Sequence, residues 1–499
     1  MSAEKTLAQI LYAGAEMNPA ATAVETFDGN ITFKELIGRV EATGGALQKR
    51  VSVPGGRIGL CAGNSVDHLV AYLAILVSGF VWVPLNPANG RALNSKMAKK
   101  AKPDLVLVDH ASAESAPAHD QLQQLDTLQS EPRSFQPTRA SPDDVAAIKF
   151  TGGTSGEPKG VVQTHGNMLA VIENLQAFYK FDDADCNLMV APLTHGSSHY
   201  VFPILGAGGR HLFLKDRSPA TILTAMQEGV TIVFMPPTLI YKLLQSDGLS
   251  SGRFVGLRHL TYSAAPMPQE KIAEAQRSFG PCVSSLYGQT EAPMTICALS
   301  TREMQDPELR GKAGRSCKNS EVRVVDESGE DLPAGDIGHI EVRGPIVMRG
   351  YLDEPESTAA AMHEGWLRTG DLGCLDESGI LTLAGRASEV IITGGFNVYP
   401  AEIENVLARA PGVRECCVYG ADDPYWGERI EAVIVPGTNS ETSKDEILAL
   451  IRSELGPVRT PKALHFVDAL PRNAVGKVVR REVREYTQTL RELNDVDSL

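Results

Sequence analysis

The run Leu69–Leu85, LVAYLAILVSGFVWVPL, constrains the fold more than any other stretch of the chain. Its length approaches that of a membrane span, but Ser78, Gly79 and Pro84 interrupt it. The pattern reads instead as a buried helix, a stop at Gly79, and a short strand Val81–Val83 ended by Pro84. GRIGLCAGN reads as a strand leading into the helix Val66–Val77, and Asp104–Val108 as a buried strand. Met189–Pro192 and Thr231–Met235 read as short strands, each followed by a helical pattern. Strand–helix alternation on this scale implies a layered α/β architecture. Residues 112–145 are rich in Ala, Ser, Gln, Pro and Asp and read as a surface connector.

From about Glu321 the rhythm changes. EVRVVDESGEDLPAGDIGHIEVRG is two strand-like runs around Gly/Pro/Asp turns, and ILTLAGR continues a β-rich subdomain over about 321–386. After Arg386 the alternation returns: AEIENVLARAPGV as helix, RECCVYGA and ERIEAVIVP as strands, SKDEILALIRSEL as helix. The predicted organisation is a large N-terminal region of layered α/β subdomains plus the β-rich subdomain, residues 1–386, and a small α+β domain, residues 387–499.

Composition narrows the function classes. A chain of 499 residues fits roughly three folding units. With 43% hydrophobic and 22% charged residues it is neither disordered nor collagen-like. A formal net charge of −14 disfavours sequence-independent nucleic-acid binding, which needs clustered cations. The eight cysteines show no C-x-x-C spacing, so they read as buried thiols in a reducing cytosol. The first residues lack a secretory pattern and the last three are not a peroxisomal address. The expectation is a cytoplasmic protein without stable membrane insertion.

The strongest local signal is FTGGTSGEPKGV, residues 150–161. A Gly-, Ser- and Thr-rich loop between a strand and a helical pattern presents N–H groups and hydroxyls to phosphate oxygens, and Lys159 adds a point charge. It is not a Walker A loop, because Glu157 and Pro158 separate Gly156 from Lys159. YGQTE, residues 287–291, ends a strand-like run, and Glu291 is a carboxylate suited to Mg²⁺ beside a phosphate loop. WLRTGDL offers Asp371 for paired hydroxyls, and PRNAVGKVVRR carries Lys477 on a Gly-bearing loop.

In this order and spacing TGGTSGEPKG, YGQTE, WLRTGDL, GRASEVIITGGFNVYPAEIE and PRNAVGKVVRR resemble the AMP-forming adenylating family. That family includes acyl-CoA synthetases, adenylation domains of non-ribosomal peptide synthetases, and beetle luciferases. The resemblance runs from about Asn64 to Arg481. It implies an ATP-dependent acid–CoA ligase that uses Mg²⁺, ATP and coenzyme A, with a mobile C-terminal domain; a homodimer is among the assemblies it allows.

The roles it implies are residue by residue. Thr151, Gly152, Gly153, Thr154, Ser155, Gly156 and Lys159 would cradle the β- and γ-phosphates of ATP. Ser263, Ala264 and Ala265 would lie beside adenine, with Tyr287, Gly288 and Gln289 near it. Thr290 would contact the α-phosphate, Glu291 would hold Mg²⁺, and Asp371 and Arg386 would bind the ribose. Lys477 would bridge the acid and the α-phosphate in the first half-reaction. Gly394 and Gly395 would line the pantetheine path in the second, with Trp426, Arg459 and Lys462 meeting CoA.

Two departures stand out. Gly152 replaces a serine that the family's loop usually carries, and Ser388 stands where the hinge is usually Asp or Lys. His195 occupies the place where amino-acid-activating relatives carry an Asp, which implies an acid without an ammonium group. His195, Gly196, Ser197, Pro237, Tyr241, Ala265, Gln289, Pro293 and Met294 are small, apolar or neutral. Such a pocket favours an aromatic or short-to-medium aliphatic acid over a dicarboxylate. Loading of a separate carrier protein is the alternative to CoA.

Overall fold

Parallel strands cannot be joined by tight turns, so a chain that alternates strand and helix must cross over between neighbours. The computed structural model describes residues 5–129, 135–152, 157–251, 253–437, 443–473 and 477–496. Among these, the strands assemble into four sheets.

The first sheet has seven strands, in the order Gly350–Tyr351, Pro158–Thr164, Val145–Gly152, Val81–Pro84, Arg57–Cys61, Leu105–Val108 and Leu122–Gln124. Its central pairs are parallel, with Ile58 opposite both Trp82 and Leu105. The second sheet has nine strands and carries Val283–Tyr287 beside His259–Tyr262 and Ile232–Met235.

The long apolar run lies inside these layers. Ser65 caps the helix Val66–Val77 by accepting the His68 N–H, and every residue from His68 to Val77 is buried. A helix buried on all sides shows no polar face, which is why the run resembles a membrane span. Trp82, fully buried on the following strand, meets the edge of Tyr72 with ring centroids 4.7 Å apart. No helix of the described residues is long and apolar enough to cross a membrane.

The third sheet is β-rich as predicted. Glu321–Val325, Gly338–Arg343 and Trp366–Leu375 run antiparallel, and Leu381–Arg386 pairs with Trp366–Leu375. The fourth sheet, built on the long hairpin Val413–Asp423 and Gly427–Pro436, has its own hydrophobic core with Ile403, Leu407, Ile430 and Ile451. The whole is an α/β molecule with a large N-terminal and a smaller C-terminal part.

Three local readings need correction. The strand predicted at Met189–Pro192 lies at Cys186–Leu188; Met189 makes the last ladder bond, to the Leu212 carbonyl, and the Val190 N–H then turns back to the Leu188 carbonyl at 3.2 Å. The connector 112–145 contains the edge strand Leu122–Gln124 and the helix Leu125–Gln129; Leu125 and Leu128 dip into the main core. The phosphate-loop motif does not join a strand to a helix. Pro158–Thr164 folds back antiparallel on Val145–Gly152, and the helix His165–Tyr179 starts only after it.

Candidate active site

The motif FTGGTSGEPKGV forms a hairpin whose stems are fixed at Thr151 opposite Lys159 and Gly152 opposite Pro158. Its tip residues Gly153, Thr154, Ser155 and Gly156 lie outside the described residues. Lys100, on the helix Gly90–Ala101, donates to the Pro158 carbonyl at 3.1 Å and pairs with Glu354, tying down the outgoing stem. The Lys159 ammonium stands 4.9 Å above the Tyr351 ring, a cation–π contact. Tyr351 in turn donates its hydroxyl to Glu291 Oε1 at 2.9 Å. One aromatic residue thus links the loop lysine to the carboxylate predicted to hold metal.

The YGQTE segment leaves the end of Val283–Tyr287 and doubles back. The Gln289 N–H bonds the Ala292 carbonyl at 3.1 Å, and the Met348 N–H bonds the Glu291 carbonyl at 2.7 Å. Gln163 donates to the Thr290 carbonyl at 2.8 Å from the neighbouring sheet. Gly288 is required here, because a Cβ would stand 2.4 Å from the Met294 nitrogen. Ser263 is buried beside this turn's parent strands, and Ala264 sits at φ +72, a strained conformation of the sort that collects at functional sites.

Antiparallel register places Asp371 directly opposite Arg386. The two pair at 2.8 Å, and Tyr287 donates its hydroxyl to the other Asp371 oxygen at 2.6 Å. Burial, and then the Asp371 charge, hold the Tyr287 phenol well above its ordinary range, so it stays a donor. Arg386 also donates to the Thr369 carbonyl at 3.3 Å. The three residues come from three separate motifs and meet at one point.

His195 precedes the short 3-10 turn Gly196–Tyr200. Its Nδ1 lies 2.9 Å from Thr194 Oγ1, and Ser198 donates to its carbonyl at 2.7 Å. Burial, and then the nearby Lys149 charge, push its pKa down to about 4, so the ring is neutral at physiological pH. A Cβ on Gly196 would meet the Phe234 ring at 2.7 Å and Met294 Sδ at 3.2 Å. Ser197, Pro237, Pro293 and Met294 are buried, whereas Ala265, Gln289 and Tyr241 are half-buried. Burial, and then the neighbouring Tyr262 and Cys416, raise the Tyr241 phenol; Glu415 adds a smaller raising effect and Arg472 opposes it, and Cys416, Glu415 and Arg472 belong to the C-terminal part.

Lys477 is tied to Asn473: its N–H bonds Asn473 Oδ1, and the Asn473 N–H bonds the Lys477 carbonyl, both at 2.9 Å. The side chain keeps accessible surface, yet surrounding protein strips enough hydration to lower its pKa. Arg386 adds to the lowering, while Glu389 and Asp371 oppose it. Lys477 therefore stands within electrostatic reach of the Asp371–Arg386 pair. Three residues on, Arg480 is pinned by Glu389 at 3.0 Å, by Glu404, and by the Val418 carbonyl at 2.6 Å.

A second cluster forms on the same part. The Gly394 N–H bonds the Trp426 carbonyl at 2.8 Å, and Gly394 has φ +58 with the indole against it. Trp426 is 43% exposed and Tyr425 82%, so this tryptophan is not a core residue. Lys462 lies 5.7 Å from the Trp426 ring, and Gly395 opens to solvent. Arg459 is engaged by Glu402 at 2.7 Å. Ser388 falls in the short 3-10 turn Ala387–Glu389.

Sequence reading missed Tyr351, Gln163 and Lys149. Tyr351 carried no signal, since its partners are distant in sequence. Gln163 and Lys149 each interrupt an apolar strand, and that interruption was the available clue.

An AMP-binding enzyme family model matches residues 11–352, and the model for the AMP-binding enzyme C-terminal domain matches residues 402–477. Feruloyl-CoA synthase from an Amycolatopsis species is 34% identical over 480 residues, covering 94% of this chain and 96% of that protein. The structure of ATP-bound MatB from Rhodopseudomonas palustris superposes with a TM-score of 0.87 at 31% identity, over 95% of this chain and 98% of that one. Amide bond synthetase McbA from Marinactinospora thermotolerans gives 0.87 at 27% identity, over 97% and 100%.

Proposed function

The chain belongs to the AMP-binding enzyme family, and from that premise we propose that it is an ATP-dependent carboxylic acid–CoA ligase. The observation that carries the reading is the meeting of Tyr287, Asp371 and Arg386, the last two of which are felt electrostatically at Lys477. A carboxylate–arginine pair suited to a ribose then acts electrostatically on a lysine suited to an acyl phosphate.

A carboxylate is a poor acyl donor. In the proposed first step one of its oxygens attacks the α-phosphorus of ATP, forming the O–P bond of an acyl-AMP as the bond to the β-phosphate oxygen breaks and pyrophosphate leaves. Both reactants are anions, so the site must supply positive charge and orientation. Lys159 and the hairpin tip take the departing phosphates, Thr290 the α-phosphate, and Ser263, Ala264 and Tyr287 flank adenine. Asp371 accepts the ribose hydroxyls, with Arg386 holding its orientation. Lys477 bridges the acid and α-phosphate. Glu291 fits a magnesium ion, because Mg²⁺ binds through one or two carboxylates and takes its other ligands from phosphates and water. When bound, that ion offsets repulsion between the phosphates and the incoming carboxylate.

In the second step a thiol attacks the acyl carbon and AMP leaves. A free thiol with a pKa near roughly 8.5 has a modest thiolate fraction at neutral pH. Residues 387–499 act here as a mobile domain that turns about Ser388 and brings Gly394, Gly395, Trp426, Arg459 and Lys462 to the CoA. The exposed indole beside Lys462 supports that assignment. Feruloyl-CoA synthase as a relative supports coenzyme A over a carrier protein as acceptor, and an aromatic acid as substrate. The neutral His195, with Phe234 and Met294 behind Gly196, supports the same choice of acid.

The test is incubation with ATP, Mg²⁺, CoA and a panel of aromatic and short-to-medium aliphatic acids. AMP and an acyl-CoA are the expected products. Acid-dependent pyrophosphate exchange without any thioester, across the panel, would overturn the CoA assignment.

A further inference from the structure

Lys149 is a cation where an apolar residue is the rule. It lies on the strand Val145–Gly152, which leads into the phosphate hairpin, and is 6% exposed. Its ammonium lies 3.1 Å from His199 Nε2, 3.5 Å from Ser198 Oγ, and 5.1 Å from the Trp82 ring centre. No carboxylate pairs with it among the described residues. His199 offers no counter-charge: its ring is neutral or cationic, and burial, then the Lys149 charge, hold it well below its ordinary pKa as a neutral partner. Tyr72, on the helix behind, spends its hydroxyl on the Ser198 carbonyl. The Trp82 indole N–H is buried there without an acceptor.

A buried charge without a partner is costly, and such groups either lose their proton or acquire a counter-ion. Burial alone pulls Lys149 down to about 7. Ser198 links this ammonium to the predicted acid pocket. Ser198, which touches Lys149, also bonds the His195 carbonyl at 2.7 Å, and the Lys149 charge is felt at His195. His195 is the residue against which the proposed acid lies.

We infer that Lys149 is the buried counter-charge for the anionic acid, binding a proton from solvent as the acid enters beside His195. This rests on the ligase reading and adds a specificity element to it: neutral isosteres of the acid are rejected because they leave the ammonium unpaired. The groups facing Lys149 are Trp82 from the neighbouring strand, Ser198 and His199 from the turn, and His195 at longer range.

The experiment is acid-dependent pyrophosphate exchange without CoA, from pH 6.5 to 9, using the panel acid with the highest turnover. The KM for the acid is expected to rise toward tenfold per pH unit above about 7 in the wild type. In Lys149→Met, which keeps the packing, that slope should vanish and KM at pH 6.5 should rise at least about tenfold. A flat wild-type profile, or a variant with the wild-type slope and KM, overturns the inference. If the variant does not fold, proton uptake on acid binding decides, measured calorimetrically on the wild type in two buffers of different ionisation enthalpy; no uptake at pH 7.5 refutes it. A panel without turnover refutes the ligase reading and this inference together, whereas turnover with a flat profile refutes only this one.

Discussion

Asp371→Asn separates a binding role for the Tyr287–Asp371–Arg386 cluster from a structural one. The amide keeps the shape and still accepts the Tyr287 hydroxyl, now 2.6 Å from the carboxylate. What disappears is the charge. A hydrogen bond to a charged group contributes about 1.5–3 kcal/mol, against about 0.5–1.5 for a neutral one. Two ribose hydroxyls therefore lose roughly 2–3 kcal/mol together, or about 30–150-fold in KM for ATP. The stability cost is much smaller. Arg386 loses its partner, but its side chain is 38% exposed, and a screened pair of that kind is worth about 1 kcal/mol at most. Pyrophosphate exchange with varied ATP, paired with a thermal melt, reads both quantities. A folded variant with unchanged KM for ATP, or a melt that collapses while KM holds, would refute the reasoning.

Lys477→Ala should slow adenylation by at least about a hundredfold while sparing thioester formation from a supplied acyl-adenylate; equal loss in both half-reactions counts against the bridging role. Trp426→Ala should raise KM for CoA about tenfold and leave pyrophosphate exchange intact, so an effect on exchange alone would place this indole elsewhere. Burial lowers the pKa of His68, His165, His195, His211 and His259 to about 4 in the fold, from an unfolded value near 6.5. The unfolded chain then binds more protons between those values, so stability is full above about pH 6.5 and is lost as pH falls toward 4. Each such histidine contributes about 1.4 kcal/mol per pH unit in that window, and identical urea midpoints at pH 7 and pH 5 would contradict it.

The layered α/β architecture was legible because Val66–Val77 and the strands flanking it carry unbroken apolar runs with clear stops at Gly79 and Pro84. The β-rich stretch was legible from its turns. The hairpin at 145–164 was not, because a glycine-rich loop before a helix reads the same whether or not a short strand intervenes; Val161 and Val162 were the only hint. The long helix Arg480–Val496 carries few apolar residues and went unread. At the site, residues inside contiguous motifs could be named in advance. Tyr351, Gln163 and Lys149 could not, because their meaning lies in partners 60, 127 and 50 residues away along the chain.

The anchoring of Arg480 has a mechanical corollary. Its guanidinium clamps together Glu389, just past the proposed pivot, Glu404 on the helix Pro400–Leu407, and the Val418 carbonyl on the long hairpin. The turn that presents Lys477 grows from the same clamp. The clamp thus ties the start of the helix Arg480–Val496, three residues past Lys477, to residues beside the proposed pivot. If the proposed rotation occurs at residues 387–388, the clamp would carry the base of that helix with it, and loosening Arg480 would uncouple the helix from the turn Ala387–Glu389.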